Sequence, residues 1–220
     1  MADSVLSIRS ADIGFTKDEP LLKSVNLEVQ SGEIVGIIGR SGIGKTTLLR
    51  TIANLIPPLE GDVDAPLERG EIGYIPQRLG LITHQTVGYN VIMGGLPNAP
   101  LWQSLLSLPG HELREASREA IAAVDLSEKV LDPISELSGG QQRRVAIARS
   151  MVQKPTLLLA DECLGELDAD TAKGIVKLIQ SLAKEGNVAI IVVDHNPVRA
   201  STFCDRILQI KGSRLEEVNI

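Results

Sequence analysis

Gly39-Arg40-Ser41-Gly42-Ile43-Gly44-Lys45-Thr46 places glycines, a lysine and a hydroxyl at the spacing GxxxxGK[ST], and that spacing suits a phosphate chain. Glycines let the backbone curl so that successive N–H groups turn inward on a β-phosphate, and the positive end of a following helix adds to the field. Lys45 brings charge to the β and γ phosphates, and the Thr46 hydroxyl suits Mg²⁺. A glycine-rich turn between strand and helix is also common for structural reasons alone. Lysine and threonine in register favour a nucleotide.

A second cluster, Asp161-Glu162, closes the apolar run Thr156 to Ala160. Two adjacent carboxylates there are costly to bury unpaired, and a metal ion relieves that cost. Neighbouring strand residues face opposite ways, so the two acids are expected to divide the work. Asp161 reaches the Mg²⁺ shell, and Glu162 faces an attacking water as its base or orienter. The plainer alternative is a charged cap on an exposed strand end. His195 follows the run Val188 to Val193. If both runs belong to one sheet, it falls on the carboxyl edge beside the phosphate loop, where it can meet a γ-phosphate. Leu137-Ser138-Gly139-Gly140-Gln141 reads as a helix start, with Ser138 as cap, Gln141 reaching back, and glycine N–H groups open to an anion. Gln77, just after Ile72 to Ile75, reads by itself as an ordinary loop residue.

These residues need a scaffold that brings them to one edge. Val25, Leu27 and Val29 alternate with polar neighbours as in a half-buried strand, whereas Ile34 to Ile38 is continuously apolar, as in a strand covered on both faces. The runs at Thr156 to Ala160 and Val188 to Val193 resemble the latter, and helical patterns at Lys45 to Leu55 and Ala172 to Lys184 stand beside them. The alternation predicts an α/β fold around a mostly parallel sheet. From about Thr83 to Glu136 the pattern is helical with breaks at Pro97, Pro100 and Pro109-Gly110. This predicts one domain over 1–220, with an α/β core at about 1–82 and 154–220 interrupted by a helical insertion at about 83–153.

Composition narrows the classes further. The 220 residues are 43% hydrophobic, enough for a sizeable core. Lys plus Arg number 22 against 28 acids, and a net charge of -6 disfavours a dedicated nucleic-acid binder or an anionic-lipid anchor. Met1-Ala2-Asp3-Ser4 has no secretory pattern, and no apolar run approaches the roughly 18 residues of a membrane span. Cys163 and Cys204 form no CxxC pair and read as small buried residues in a reducing compartment.

Taken with Gln142-Arg143-Arg144-Val145-Ala146-Ile147-Ala148-Arg149, the segment Leu137 to Gln141 resembles the ABC ATPase signature nearly letter for letter. The resemblance spans essentially the whole chain. Gly39 to Thr46 resembles the family's Walker A, Gln77 its Q-loop, Asp161 and Glu162 its Walker B with catalytic Glu, Leu167-Asp168 its D-loop and His195 its switch His. It implies a P-loop ABC ATPase fold, a RecA-like mostly parallel core with a small antiparallel β part and a helical subdomain. It also implies that Phe15 stacks on adenine, that Gln77 joins Thr46 and Asp161 around Mg²⁺, and that ATP is held by Gly39 to Thr47. The implied enzyme is an ATPase paired head to tail as a homodimer or a heterodimer with a related ATPase, so that Ser138, Gly139, Gly140 and Gln141 of one copy close over ATP on the other. Permease subunits with a solute-binding protein would carry the solute and supply the membrane contact, with no nucleic acid involved, at the cytoplasmic face of the plasma membrane.

The sequence departs from the family where Cys163-Leu164 replace the usual Pro and Ser or Thr, where Gly165-Glu166 precede Leu167-Asp168, and where Asn196 follows the switch His in place of a frequent Asp. Asn90 to Glu112, with Trp102-Gln103-Ser104-Leu105-Leu106, looks most like phosphonate-importer ATPases, and Trp102 is either a core residue or part of a groove for a permease helix. Two other classes compete: a soluble ABC-type ATPase of DNA repair or translation, and a nucleotide-dependent interaction module without turnover. The short span between Lys45 and Leu137 and the single cassette disfavour the former.

Overall fold

In the computed structural model, which describes residues 4–66, 68, 70–98, 110–165, 167 and 169–218, the chain opens with β1 (Ser4–Ile13) and β2 (Leu22–Gln30), paired antiparallel. β2 has the expected alternation, with Leu22, Val25, Leu27 and Val29 buried. Periodicity alone passes over β1, because a bulge between Ile8 and Ala11, with Ser10 at φ 47°, breaks its period. β3 (Ile34–Ile38) is buried at every position. α1 (Lys45–Ile52) ends three residues short of the expected Leu55, where Asn54 turns left-handed at φ 55°. β4 (Glu60–Asp64) is mostly exposed and acidic, and backbone pairing to β1 rather than burial holds it. β5 (Ile72–Ile75) follows.

The middle of the described chain is helical. α2 (Val87–Ile92) runs into a 3₁₀ turn at Met93–Asn98, followed by α3 (His111–Ala123), short 3₁₀ turns at Ser127–Lys129 and Ile134–Glu136, and α4 (Gly139–Gln153). Pro97 lies inside the first 3₁₀ turn; Pro100, Pro109 and the Trp102 segment lie outside the described residues. The α/β pattern resumes with β6 (Leu157–Asp161), α5 (Ala169–Lys184), β7 (Ala189–Asp194), α6 (Pro197–Ala200), β8 (Arg206–Lys211) and β9 (Arg214–Glu217).

Among the described residues the strands form an antiparallel sheet ordered β2-β1-β4 and a larger sheet ordered β5-β6-β7-β3-β8-β9, parallel except for the β8–β9 pair. Alternate residues of β3, β6 and β7 serve two cores. Val35, Ile37, Leu157, Leu159, Ile191 and Val193 pack toward α1 and the antiparallel sheet. Ile34, Leu158, Ala160, Ile190 and Val192 pack toward α4 and α5. This explains why the strands lack a polar face. A third cluster gathers Val87, Val91, Ile121 and Ile134 against Val145, Ala148 and Val152 of α4. α4 also sends Ala146 and Ile147 into the second core, so one helix joins the helical region to the sheet. Burying each such Ile, Val or Leu stabilises by roughly 1.5–3 kcal/mol, so α4 cannot shift alone without losing contacts on one side.

Candidate functional site

β6, β7 and β3 are neighbours and parallel, with Asp161 opposite Val193 and Asp194 opposite Ile38. Their carboxyl ends therefore deliver Gly39, Glu162 and His195 to one edge of the sheet. At that edge Gly42 (φ 78°) and Gly44 (φ 111°) take left-handed turns that a side chain would strain, and Gly44 precedes the first residue of α1. Arg40, Ser41 and Gly42 are exposed at the loop tip, Gly39, Ile43 and Thr46 are half-buried, and Lys45 and Thr47 are buried. The Lys45 ammonium donates to the Gly39 and Arg40 carbonyls at 2.9 and 3.0 Å, which closes the curl of the loop around its own charge.

Thr46 Oγ1 donates to Asp161 Oδ2 at 2.8 Å. Asp161 is only 2% exposed. Burial raises its carboxyl above the usual carboxylate range and the charge of Glu162 adds to this, while the Thr46 hydrogen bond and the cations Lys45 and Arg50 pull the other way. A buried carboxylate with one hydroxyl partner suits a hard divalent cation such as Mg²⁺, which would stabilise its charged form. Among the described residues no cluster of three His, Cys, Asp or Glu exists, so an ion held by Asp161 would draw the rest of its shell from neutral side-chain, phosphate and water oxygens, the habit of Mg²⁺.

The split between the two acids has a different cause from the strand pleat expected above. β6 ends at Asp161, and Glu162 leaves it in a left-handed conformation at φ 50°. That turn, costly for a residue with a side chain, aims the carboxylate at the loop after β5, where Gln77 Nε2 donates to Glu162 Oε2 at 2.8 Å. The plainer alternative of an exposed cap does not describe Asp161, which is buried.

His195 is largely exposed, with Nδ1 3.9 Å from Asp194 Oδ1. Phe15 is 69% exposed, unusual for an aromatic ring. A Cβ built on Gly14 would lie 2.9 Å from Leu21 N, and one on Gly44 3.3 Å from Leu21 Cβ, so the Phe15 loop sits beside the phosphate loop.

Ser138 opens α4 with the expected reciprocal cap. Gln141 N donates to Ser138 Oγ at 3.3 Å, and Ser138 N donates to Gln141 Oε1 at 2.9 Å. Ser138 and Gly139 are exposed; nothing lies within 4 Å of a Cβ built on Gly139, whereas one on Gly140 would meet Thr171 Cγ2 at 2.6 Å. Of the departures, Cys163 and Leu164 are buried in the second core, and burial pushes both Cys163 and Cys204 thiols up to about 12, which leaves them protonated packing residues. Asn196 caps α6, its Oδ1 accepting from Arg199 N. Glu166 and Asp168 lie outside the described residues. Sequence reasoning passed over Asp194 and Arg199, which form a bidentate ion pair beneath His195 at 2.7 and 2.8 Å. The only signal was an acid at the end of an apolar run.

The family model for ABC transporters matches residues 22–165. The chain is 35% identical to the phosphonates import ATP-binding protein PhnC of Caulobacter vibrioides, over 97% of this chain and 87% of that protein. It is 36% identical to phosphonates import ATP-binding protein PhnC 2 of Cupriavidus metallidurans, over 94% and 78%. Among solved structures it resembles the dimeric bacterial ABC transporter cassette MJ0796 (TM-score 0.82, 30% identity, 96% of each chain). It shares the fold of a metal-chelate type ABC transporter in an inward-facing conformation (TM-score 0.88, 22% identity, 99% of this chain and 84% of that one).

Proposed function

This chain belongs to the ABC transporter family as an ATP-binding subunit with ATPase activity, and we propose that it acts as a head-to-tail pair in which each copy completes the other's site. Lys45 and the N–H groups of Gly39 to Thr47 cradle the triphosphate, and Phe15 stacks on adenine. Thr46, Asp161 and Gln77 would hold Mg²⁺, which when bound neutralises charge on the phosphate oxygens. Glu162, oriented by Gln77, takes a proton from the water that attacks the γ-phosphorus while the bond to the bridging oxygen of ADP breaks. His195 contacts the departing γ-phosphoryl group. Ser138, Gly139, Gly140 and Gln141 of the partner cover that group from the opposite side with hydroxyl and backbone donors.

The observation that carries the residue roles is the pair of hydrogen bonds Thr46–Asp161 and Gln77–Glu162 beside the folded-in Lys45, and the exposed turn at Ser138 and Gly139, with nothing within 4 Å of a Cβ built on Gly139, supports the pairing. Two variants separate the roles. Lys45→Ala should lose ATP affinity, whereas Glu162→Gln should bind ATP and lose turnover by roughly 10²–10⁴-fold. Equal ATP affinity in Lys45→Ala and wild type would sink the lysine's role, and a turning-over Glu162→Gln would sink the base.

The helical region at 83–153 is the lobe proposed to swing during closure and to meet a permease. Tyr89 and Leu131 are exposed there, and a cleft of about 320 Å³ is lined by Gln77, Thr83, Gly139, Gln142 and Arg143. No helix among the described residues is long and apolar enough to cross a membrane, which suits docking at the cytoplasmic face through such a partner. The relatives' names favour phosphonate import, and we extend this reading to related small anions and to a solute-binding protein that delivers them. Uptake of labelled methylphosphonate by cells carrying this chain, but not by cells carrying Glu162→Gln, tests that assignment; equal uptake contradicts it.

A further inference from the structure

The turn that carries His195 is fixed by an ion pair with no part in the chemistry above. Asp194 is 2% exposed, and its two oxygens accept from Arg199 Nε at 2.7 Å and Nη2 at 2.8 Å, the two-pronged geometry that fixes a carboxylate's plane as well as its position. The oxygen bound by Nη2, Oδ1, also accepts the Asn196 backbone N–H at 2.8 Å, and Asn196 Oδ1 accepts the Arg199 backbone N–H at 3.1 Å. Both neighbours of His195 are thus tied down, while the imidazole between them is 59% exposed with Nδ1 3.9 Å from Asp194 Oδ1. The anchor stands against the nucleotide loop, since Asp194 pairs with Ile38, the residue before Gly39.

Stability alone does not account for this pair. Desolvation of a buried carboxylate, with a guanidinium that keeps 22% of its side chain exposed, offsets part of their attraction, and apolar residues in such places often serve as well. An ion pair does supply direction, because the planar guanidinium sets the rotation of the carboxylate, and the carboxylate in turn sets the turn and the inner edge of the imidazole. With Nδ1 on the carboxylate side, Nε2 on the far side of the ring is left for a phosphoryl oxygen. Where members of the family frequently carry an acid after this histidine, here the acid precedes it and Asn196 takes the capping position.

We propose that Arg199 is a positioning residue for His195, acting through Asp194 to hold the imidazole in the orientation that meets the γ-phosphoryl group. This rests on the contact between His195 and that group proposed above. The test is a double-mutant cycle in ATP hydrolysis. Arg199→Lys keeps the charge that compensates Asp194 and loses the fork. Its kcat should fall about 10- to 100-fold, the scale of a lost orienting partner or a misplaced group, with KM for ATP and Tm unchanged. His195→Ala should fall at least as far, and the double variant should match His195→Ala alone.

A wild-type kcat in Arg199→Lys, or a defect that multiplies onto that of His195→Ala, overturns the positioning role. Wild-type turnover in His195→Ala overturns the underlying contact instead, so the two failures are distinguishable. Should Arg199→Lys lose Tm, Arg199→Ala with added ethylguanidinium replaces it. Recovery of kcat in the His195 protein and not in His195→Ala supports the role; no recovery overturns it.

Discussion

Replacing Ser138 separates two jobs that the structure assigns and the dimer proposal adds to one side chain. As a helix cap, Ser138 Oγ accepts a single backbone bond at 3.3 Å, and Ser138 N is bound by Gln141 Oε1 at 2.9 Å. Ser138→Ala removes the first bond and leaves the second, a loss of about 1 kcal/mol, or about 2–4 °C in Tm for a chain of this size. Against ordinary stabilities of several kcal/mol, nearly all of the protein stays folded, so a mere cap would leave turnover almost untouched. If the hydroxyl also bonds the partner's γ-phosphoryl group, a charge-assisted bond of about 1.5–3 kcal/mol disappears, which is roughly 10- to 150-fold in turnover at low ATP. Ser138→Asp sharpens the contrast. Aspartate caps as well as serine and suits a helix N-terminus, so Tm should hold or rise, but it sets a carboxylate against a triphosphate and turnover should collapse. Differential scanning fluorimetry and a coupled ATPase assay on both variants suffice. Ser138→Asp hydrolysing ATP at the wild-type rate would refute the reasoning, because the cap would then be the whole of this residue's role.

Two further outcomes follow from the same geometry. Burial raises the Asp161 pKa above its unfolded value, so between those two values the folded chain holds the extra proton, and stability falls as pH rises through that window and stays lower above it. Asp161→Asn, assayed without nucleotide or Mg²⁺, should therefore melt higher than wild type at neutral pH, with the gain fading as pH falls through that window and gone below about pH 4, and hydrolysis lost throughout; a lower neutral Tm would contradict the sign. Phe15→Ala should weaken ATP binding about 5-fold or more if the ring stacks on adenine, with no change in Tm because the ring is 69% exposed; unchanged affinity in a fluorescent-nucleotide titration would remove the stacking role.

The sequence exposed the parts of this fold that repeat a simple physical pattern. Ile34 to Ile38, Leu157 to Asp161 and Ala189 to Asp194 are apolar at nearly every position because both faces of the sheet are covered, and the cap at Ser138 announced α4. β1 was hidden by its bulge at Ser10, and β4 by a composition that backbone pairing alone overrides. The turn at Glu162 was beyond reach for a different reason. A left-handed glutamate is held by its surroundings, here by packing of Cys163 and Leu164 in the second core and by Gln77 across the loop. Gln77 looked ordinary in isolation because its partner lies 85 positions away. The Asp194–Arg199 pair depends on the four-residue helix α6, too short to leave a periodic signal.

The central claim is that ATP is enclosed by two copies of this chain, each giving what the other lacks. Glu162→Gln keeps the shape of the site and removes its base, so sedimentation velocity of this variant with saturating Mg-ATP should show a species of twice the chain mass that returns to monomer when Ser138→Asp is added. A Glu162→Gln protein that binds ATP and still sediments as a monomer would contradict the account.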